Sequence, residues 1–167
     1  VAGSIECGVP ESKATEIFQQ ISKFAGYGFN KSHAAAYALV AYQTAYLKAN
    51  YPTEFIAASM THDLNNTDKL SNFKQELDRI GITLLPPDIN LSNAVFSVEN
   101  LDDDQSDALG VRYALGAIKN VGLSAMESLV AERKEKMRFE NLQDLISSLD
   151  SGVVNKRQLE SLAKAGA

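Results

Sequence analysis

A lysine, a serine and a histidine stand in a row where a long helical pattern begins. Either Asn30 or Ser32 is expected to cap this helix, which places Lys31 and His33 near the positive end of the helix dipole. Cations are disfavoured there by about 0.3–1 kcal/mol each unless an anion lies nearby. Unpaired backbone N–H groups, a hydroxyl and two basic side chains therefore predict a phosphate site. The alternative is structural: Lys31 extends into water and His33 packs as an ordinary helix residue.

A second segment, residues 115–125, has the pattern of a helix-hairpin-helix. We predict a short helix that ends near Lys119, a turn over residues 120–122, and another helix that begins near Leu123. Ile118 and Val121 are expected to anchor the hairpin to a core. The backbone N–H groups of residues 122–125, among them Ser124, would then face outwards and bind a backbone phosphate without reading base sequence.

The turn of this hairpin departs from its commonest form, which has glycine at both turn positions. Here Gly122 stands at the second position and Asn120 at the first. Asparagine is the non-glycine residue that best tolerates the left-handed backbone conformation. The pattern therefore still predicts a hairpin, while a purely structural helix pair remains the alternative.

A related segment follows at residues 153–162 and carries two adjacent cations, Lys156 and Arg157. With a connecting helix at 141–148, it is a candidate second hairpin unit. Because its turn lacks glycine, the alternative is that it only packs against the first hairpin. We include both cations among the candidate DNA-binding residues.

Charge and cysteine content exclude several protein classes. The net charge is −5, but residues 1–106 carry −6 and residues 107–167 carry +1. A basic cluster over residues 133–138 indicates either a phosphate-binding patch or a solvated helix face. A lone cysteine, Cys7, excludes an internal disulfide, and two histidines are too few for a Cys/His zinc site. The consecutive aspartates 102–104 favour a solvated turn over a metal site.

The remaining elements follow from apolar spacing and turn residues. Asp68 is a candidate N-cap and Gly81 a candidate residue just beyond a helix end. The alternation at 95–98 and at 110–115 predicts two paired strands. The helix that begins near Ser32 is apolar on nearly all sides, so we expect it in the middle of a domain. Helices are predicted at 11–24, 32–50, 52–63, 68–80, 114–119, 123–136, 141–148 and 155–164.

These elements predict a mainly α fold, a multihelical bundle with a small β element followed by a helix-hairpin-helix module. The expected division is a helical subdomain at 1–81, a proline-containing connector with the β element at 82–113, and the hairpin module at 114–167. No apolar run is long enough for a membrane span and no signal peptide opens the chain. Because Val1 is not a methionine, we expect a piece of a longer cytoplasmic protein.

Residues 24–37, which contain the Lys-Ser-His segment, resemble a signature of the bacterial C-family replicative DNA polymerases, the family of the DNA polymerase III alpha subunit. The resemblance continues in order through the rest of the chain, at 42–48, 51–55, 85–92, 117–122 and 165–167. It implies the fingers region of such a polymerase together with the following helix-hairpin-helix module. A long ordered series of matches is more specific than the hairpin pattern alone.

The resemblance also implies roles and partners. In the N-terminal segment, Lys31, Ser32, His33 and Tyr37 would lie near an incoming deoxynucleoside triphosphate. The hairpin would contact primer-template duplex DNA, and the other polymerase domains and replisome subunits would be partners. The family's magnesium-binding aspartates belong to its palm domain and have no match here, so we expect no catalytic residue, no cofactor and no polymerisation by this chain alone. The alternatives are a stand-alone, sequence-independent DNA-binding module and a protein-interaction scaffold.

Overall fold

A computed structural model of the protein describes residues 1–26, 31–101, 108–148 and 154–167. It is mostly helical and contains a three-stranded sheet, which confirms the predicted fold class. The chain divides into two compact units, Val1–Tyr46 and Leu47–Ala167. Boundaries at 81 and 113 stay a prediction. Within the described ranges, no helix is long and apolar enough to cross a membrane.

The first unit is built from three helices. They are α1 (Ala2–Glu6), α2 (Glu11–Gly26) and α3, which begins at Lys31 and ends at Asn50, just inside the second unit. The predicted bounds of α2 and α3 are confirmed to within two residues. The predicted turn at 26–30 lies, apart from Gly26, outside the described residues.

The expectation that α3 lies in the middle of a domain is wrong. Every residue of α3 is exposed except the half-buried Ala34, and Tyr37 and Leu39 keep 63% and 58% of their accessible surface. The helix has apolar residues on all sides, which is typical of a buried helix. This pattern does not indicate which surface would cover it. Nothing within the described residues covers it.

The first core of the second unit lies between two helices and the sheet. Helix α4 (Pro52–His62) begins with a proline in its first turn, and α5 (Thr67–Ile80) ends at Gly81, whose φ of 76° is left-handed as predicted. The predicted N-cap of α5 is wrong: Asn66 caps it, because its side-chain oxygen accepts a hydrogen bond from the Lys69 amide at 3.1 Å. The buried members of this core include Ile56, Met60, Leu70, Leu77, Phe96 and Val111.

The sheet has the strand order β1-β3-β2. Strands β2 (Ser97–Asn100) and β3 (Leu109–Arg112) are antiparallel, which confirms the predicted pair. Sequence analysis missed β1 (Leu84–Leu85), which pairs in parallel with β3. A strand of two residues next to prolines is too short to show alternating polarity. It is recognised only by its pairing with residues 27 positions later in the chain. The aspartates at 102–104 lie outside the described residues.

The second core joins three helices to a short 3₁₀ helix, Leu115–Ala117. The helices are α6 (Leu123–Lys136), α7 (Leu142–Ser148) and α8 (Lys156–Ala165), close to their predicted bounds. The 3₁₀ helix replaces the predicted helix at 114–119, because the backbone is already extended at Ile118. The most buried residues of this core include Leu115, Val121, Met126, Leu129 and Leu162.

Candidate nucleic-acid interface

The predicted hairpin turn adopts the backbone conformation that its residue types favour. Asn120 has a φ of 68° and Gly122 a φ of 59°, so both turn positions are left-handed. An asparagine tolerates this conformation better than other side chains, and glycine adopts it without steric cost. The substitution of the first turn glycine by Asn120 is therefore compatible with the hairpin geometry.

A buried valine fixes this turn to the second core. The Val121 side chain is 1% exposed, and the Val121 amide donates to the Ile118 carbonyl at 3.1 Å. Ile118 packs against the same core, as predicted. Just before the turn, the Gly116 amide donates to the Ala94 carbonyl at 3.0 Å, and a side chain on Gly116 would collide with that oxygen. Val121 therefore anchors the turn, and the exposed positions beside it are left to contact a ligand.

The amino terminus of α6 presents backbone donors at the surface. Gly122 is its N-cap and makes no side-chain capping bond, while Gly122, Leu123 and Ser124 are exposed. The first four N–H groups of an α-helix have no acceptor within the helix. Lys119 is also exposed, and a cleft of about 370 Å³ runs along residues 116–122. The backbone donors, the positive end of the α6 dipole and the Lys119 cation together form a surface that suits a phosphate.

The first turn of α8 lies against the hairpin turn. Arg157 donates from Nη2 to the Asn120 Oδ1 at 2.9 Å. Asn155 and Gln158 form a capping box: the Asn155 side chain accepts from the Gln158 amide at 3.0 Å, and the Gln158 side chain accepts from the Asn155 amide at 2.7 Å. Lys156 is 92% exposed at its side chain and lies 4.0 Å from Glu160. The structure thus brings the seven predicted DNA-binding residues to one region, although Val121 is buried there: Lys119, Asn120, Val121, Gly122, Ser124, Lys156 and Arg157.

In the basic cluster at 133–138, Lys134, Lys136 and Arg138 are exposed, so the interpretation as a solvated helix face holds for them but not for Arg133. The Arg133 guanidinium is buried and donates to the carbonyls of Ile89 and Ser92 at 2.9 and 2.7 Å. Burial lowers the pKa of Arg133, because removal from water disfavours its charged form. Lys136 pairs with Asp144, and this pairing lowers the pKa of the Asp144 carboxyl. Arg133 therefore holds the segment before the hairpin in place, a role that its sequence position did not reveal.

The predicted nucleotide-binding residues lie together on the first two turns of α3. Lys31, Ser32, His33 and Tyr37 are all exposed, and the rings of His33 and Tyr37 are 4.3 Å apart between centroids. The candidate cap Asn30 lies outside the described residues. Exposed cationic, hydroxyl and aromatic groups on one helix end match the predicted chemistry, and their role stays a prediction.

Across the described ranges, no three His, Cys, Asp or Glu side chains converge to hold a metal ion.

Both the hairpin segment and the whole chain are similar in sequence to known proteins. Residues 81–167 match a family model described as a helix-hairpin-helix motif. The chain is 55% identical to the DNA polymerase III subunit alpha of Caulobacter vibrioides over all 167 residues, which are 14% of that protein. It is 46% identical to the subunit alpha of Borreliella burgdorferi over 98% of the chain and 14% of the relative. The Thermus aquaticus subunit alpha is 44% identical over the whole chain and 13% of the relative.

The chain thus spans about a seventh of the length of these relatives, and similarity runs through both of its units. The family match covers the 3₁₀ helix, the left-handed turn and α6. The chain belongs to the helix-hairpin-helix motif family, and along its whole length it is similar to one segment of the DNA polymerase III subunit alpha.

Proposed function

We propose that this chain is the fingers and hairpin segment of a replicative DNA polymerase, and that its hairpin holds duplex DNA by the phosphate backbone. The proposal for the hairpin is carried by one observation: a left-handed turn, anchored by Val121, that leaves the first amides of α6 exposed beside Lys119. These donors contact phosphate oxygens and no base edge, so binding is independent of sequence. The relatives' name supports DNA synthesis as the activity of the whole protein.

A proline substitution tests the backbone donors directly. Leu123 is the first residue of α6, where proline is favoured, and α4 already carries Pro52 at this position. The Gly122 ψ of 133° is compatible with a following proline. Leu123→Pro therefore removes one exposed N–H and leaves the helix intact. Leu123→Ala is the matched control, because it shortens the same side chain and keeps the amide.

The measurement is fluorescence anisotropy of a labelled duplex against the 167-residue chain over a salt series. We expect binding that weakens steeply with salt, and a further loss of about ten- to a hundredfold for Leu123→Pro relative to Leu123→Ala, the effect of one hydrogen bond with a charged partner. Circular dichroism checks that both variants fold. Equal affinity of the two variants would contradict a role for the α6 amides.

For the first unit, we propose that the α3 amino terminus positions an incoming deoxynucleoside triphosphate. Lys31 supplies a positive charge, Ser32 a hydroxyl, and the His33–Tyr37 ring pair an aromatic surface. In the whole protein, magnesium held by other domains would supply the phosphoryl-transfer chemistry. Nuclear magnetic resonance of the chain, titrated with a deoxynucleoside triphosphate, should shift the amide signals of these residues.

Lys31→Gln should reduce these shifts at a given nucleotide concentration. Lys13→Gln is the control, because Lys13 is an exposed cation on α2 outside the proposed site. Equal shifts in both variants would show that Lys31 does not bind the triphosphate.

A further inference from the structure

We infer that the first turn of α8 braces the hairpin turn, and that Arg157 is a positioning residue for phosphate binding and does not itself contact the phosphate. This inference rests on the proposed function of the hairpin. It assigns to Arg157 a role different from that of the neighbouring exposed cation, Lys156.

Two side chains of α8 meet the two left-handed positions of the turn. The Arg157 Nη2 donates to the Asn120 Oδ1 at 2.9 Å, across 37 positions of sequence. The Gln158 Nε2 lies 3.7 Å from the point where a Cβ on Gly122 would stand. Because the Gln158 Oε1 accepts from the Asn155 amide in the capping box, the Gln158 amide group is held in one orientation. The brace is therefore itself fixed.

Packing beneath these contacts holds α8 in place. Val154, Leu159 and the buried Leu162 belong to the same core as Val121. The turn is thus fixed from below by Val121 and from the side by Arg157, with Gln158 close to Gly122. A non-glycine residue at positive φ persists only where its surroundings hold it, and the bond from Arg157 to Asn120 supplies that restraint.

The restraint matters for phosphate binding because Asn120 lies two positions before Gly122, the first of the exposed residues at the start of α6. Donors that are already oriented bind an anion without the entropic cost of ordering the loop. Loss of the bond from Arg157 would remove none of these amide donors but would increase their motion. Arg157 would then strengthen phosphate binding by restraining the turn, and not by contacting the phosphate.

Two single variants and their combination test this role in the 167-residue chain. Arg157→Gln removes the donor, and Asn120→Gly removes the acceptor while permitting the left-handed backbone. Lys164→Gln is the control for loss of one charge, because Lys164 lies in the last turn of the same helix. Duplex affinity is measured by anisotropy over a salt series for each variant and for the double variant.

We expect Arg157→Gln to weaken duplex binding about three- to tenfold, the size of one hydrogen bond. Its salt dependence should keep the wild-type slope, because a direct phosphate contact would reduce the slope by about 0.9. In the Asn120→Gly background, Arg157→Gln should have no further effect. A reduced slope, or an undiminished effect of Arg157→Gln in that background, would overturn the inference.

A second measurement separates this inference from the proposed function. The amides of Val121 and Met126 donate to the Ile118 and Gly122 carbonyls on either side of the turn, so they are protected from hydrogen exchange. In the absence of DNA, their exchange should accelerate in Arg157→Gln and stay unchanged in Lys164→Gln. If no variant and no wild-type chain binds duplex, the proposed function fails, and exchange alone decides whether α8 braces the turn. Unchanged exchange in a folded Arg157→Gln chain would overturn the brace.

Discussion

The two units of the chain differ in how their apolar residues are used. In the first unit, Ala14 is the one buried residue among the described positions, while Ile17, Phe18 and Tyr37 are largely exposed. The second unit contains two buried cores, and one of its charged groups, the Arg133 guanidinium, donates to a backbone carbonyl. Apolar periodicity therefore predicts helices in both units, but among the described residues the buried cores that hold such helices in place belong to the second unit.

The largest expected effect comes from truncation of a core leucine in the second unit. Leu129→Ala should lower the free energy of unfolding by about 3 kcal/mol, because it leaves a cavity in the core beneath the hairpin. Leu129 is fully buried. Urea denaturation followed by circular dichroism measures the change, and amide exchange of α6 shows where it acts.

The matched variant in the first unit is Leu39→Ala. Leu39 is 58% exposed, so its truncation should change the free energy of unfolding by less than about 0.5 kcal/mol. Equal losses in the two variants would remove the contrast between the units, since they would show that α3 is buried in the chain as it exists in solution.

The next largest effect should separate two adjacent cations. Arg133→Met leaves the carbonyls of Ile89 and Ser92 without their buried donor, so we expect a loss of about 2 kcal/mol in unfolding free energy. Lys134→Met, at the exposed neighbouring position, should have an effect within about 0.5 kcal/mol. Thermal unfolding of both variants measures the difference, and similar midpoints would contradict a structural role for Arg133.

The sequence predicted what depends on neighbouring residues. Gly81, Asn120 and Gly122 have the left-handed conformations that their residue types favour. The bounds of α2 to α8 followed closely from apolar spacing and turn residues, whereas α1 was not predicted and Asn66, not Asp68, caps α5. Contacts between distant residues could not be predicted from the sequence. The pairing of Leu84 with Val111 has no local pattern, and the buried Arg133 looks like its exposed neighbours.

The same limit applies to the candidate site. Local spacing identified the hairpin and the two cations in the first turn of α8, but the bond from Arg157 to Asn120 depends on how α8 packs. The capping box is the one part of that brace with a readable pattern, Asn155 followed three residues later by Gln158.

A pH series sharpens the comparison through an ion pair in the sheet. The Arg112 guanidinium donates to both Glu99 oxygens, at 2.6 and 2.7 Å, and this holds the pKa of Glu99 below its ordinary value of 4.5. The ionised Glu99 carboxylate therefore contributes to the free energy of unfolding above pH 4.5. This contribution is lost as the pH falls through the lowered pKa that Glu99 has in the folded state. Glu99→Gln should therefore unfold at lower temperature than wild type at pH 7.

The two melting temperatures should approach each other as the pH falls below 4.5. Other carboxylates also stabilise the unit above that pH: Lys48 and Arg79 lower the pKa of Glu76 to about 2. The difference between wild type and Glu99→Gln isolates the Glu99 contribution from theirs. A constant difference from pH 7 to pH 3 would show that the Arg112 pair does not stabilise the sheet.

The smallest expected effect is a gain in stability at the far end of α6. Met137 has a φ of 79° and a ψ of −43°, and its side chain is 85% exposed, so it bears backbone strain with little packing in return. Unlike Asn120, it has no hydrogen bond from another helix among the described contacts of its side chain. Met137→Gly should raise the free energy of unfolding by about 0.5–1 kcal/mol, because glycine adopts this conformation without a Cβ clash. Met137→Ala keeps the Cβ and should give no gain, so equal melting temperatures for the two variants would show that the strain is absent in solution.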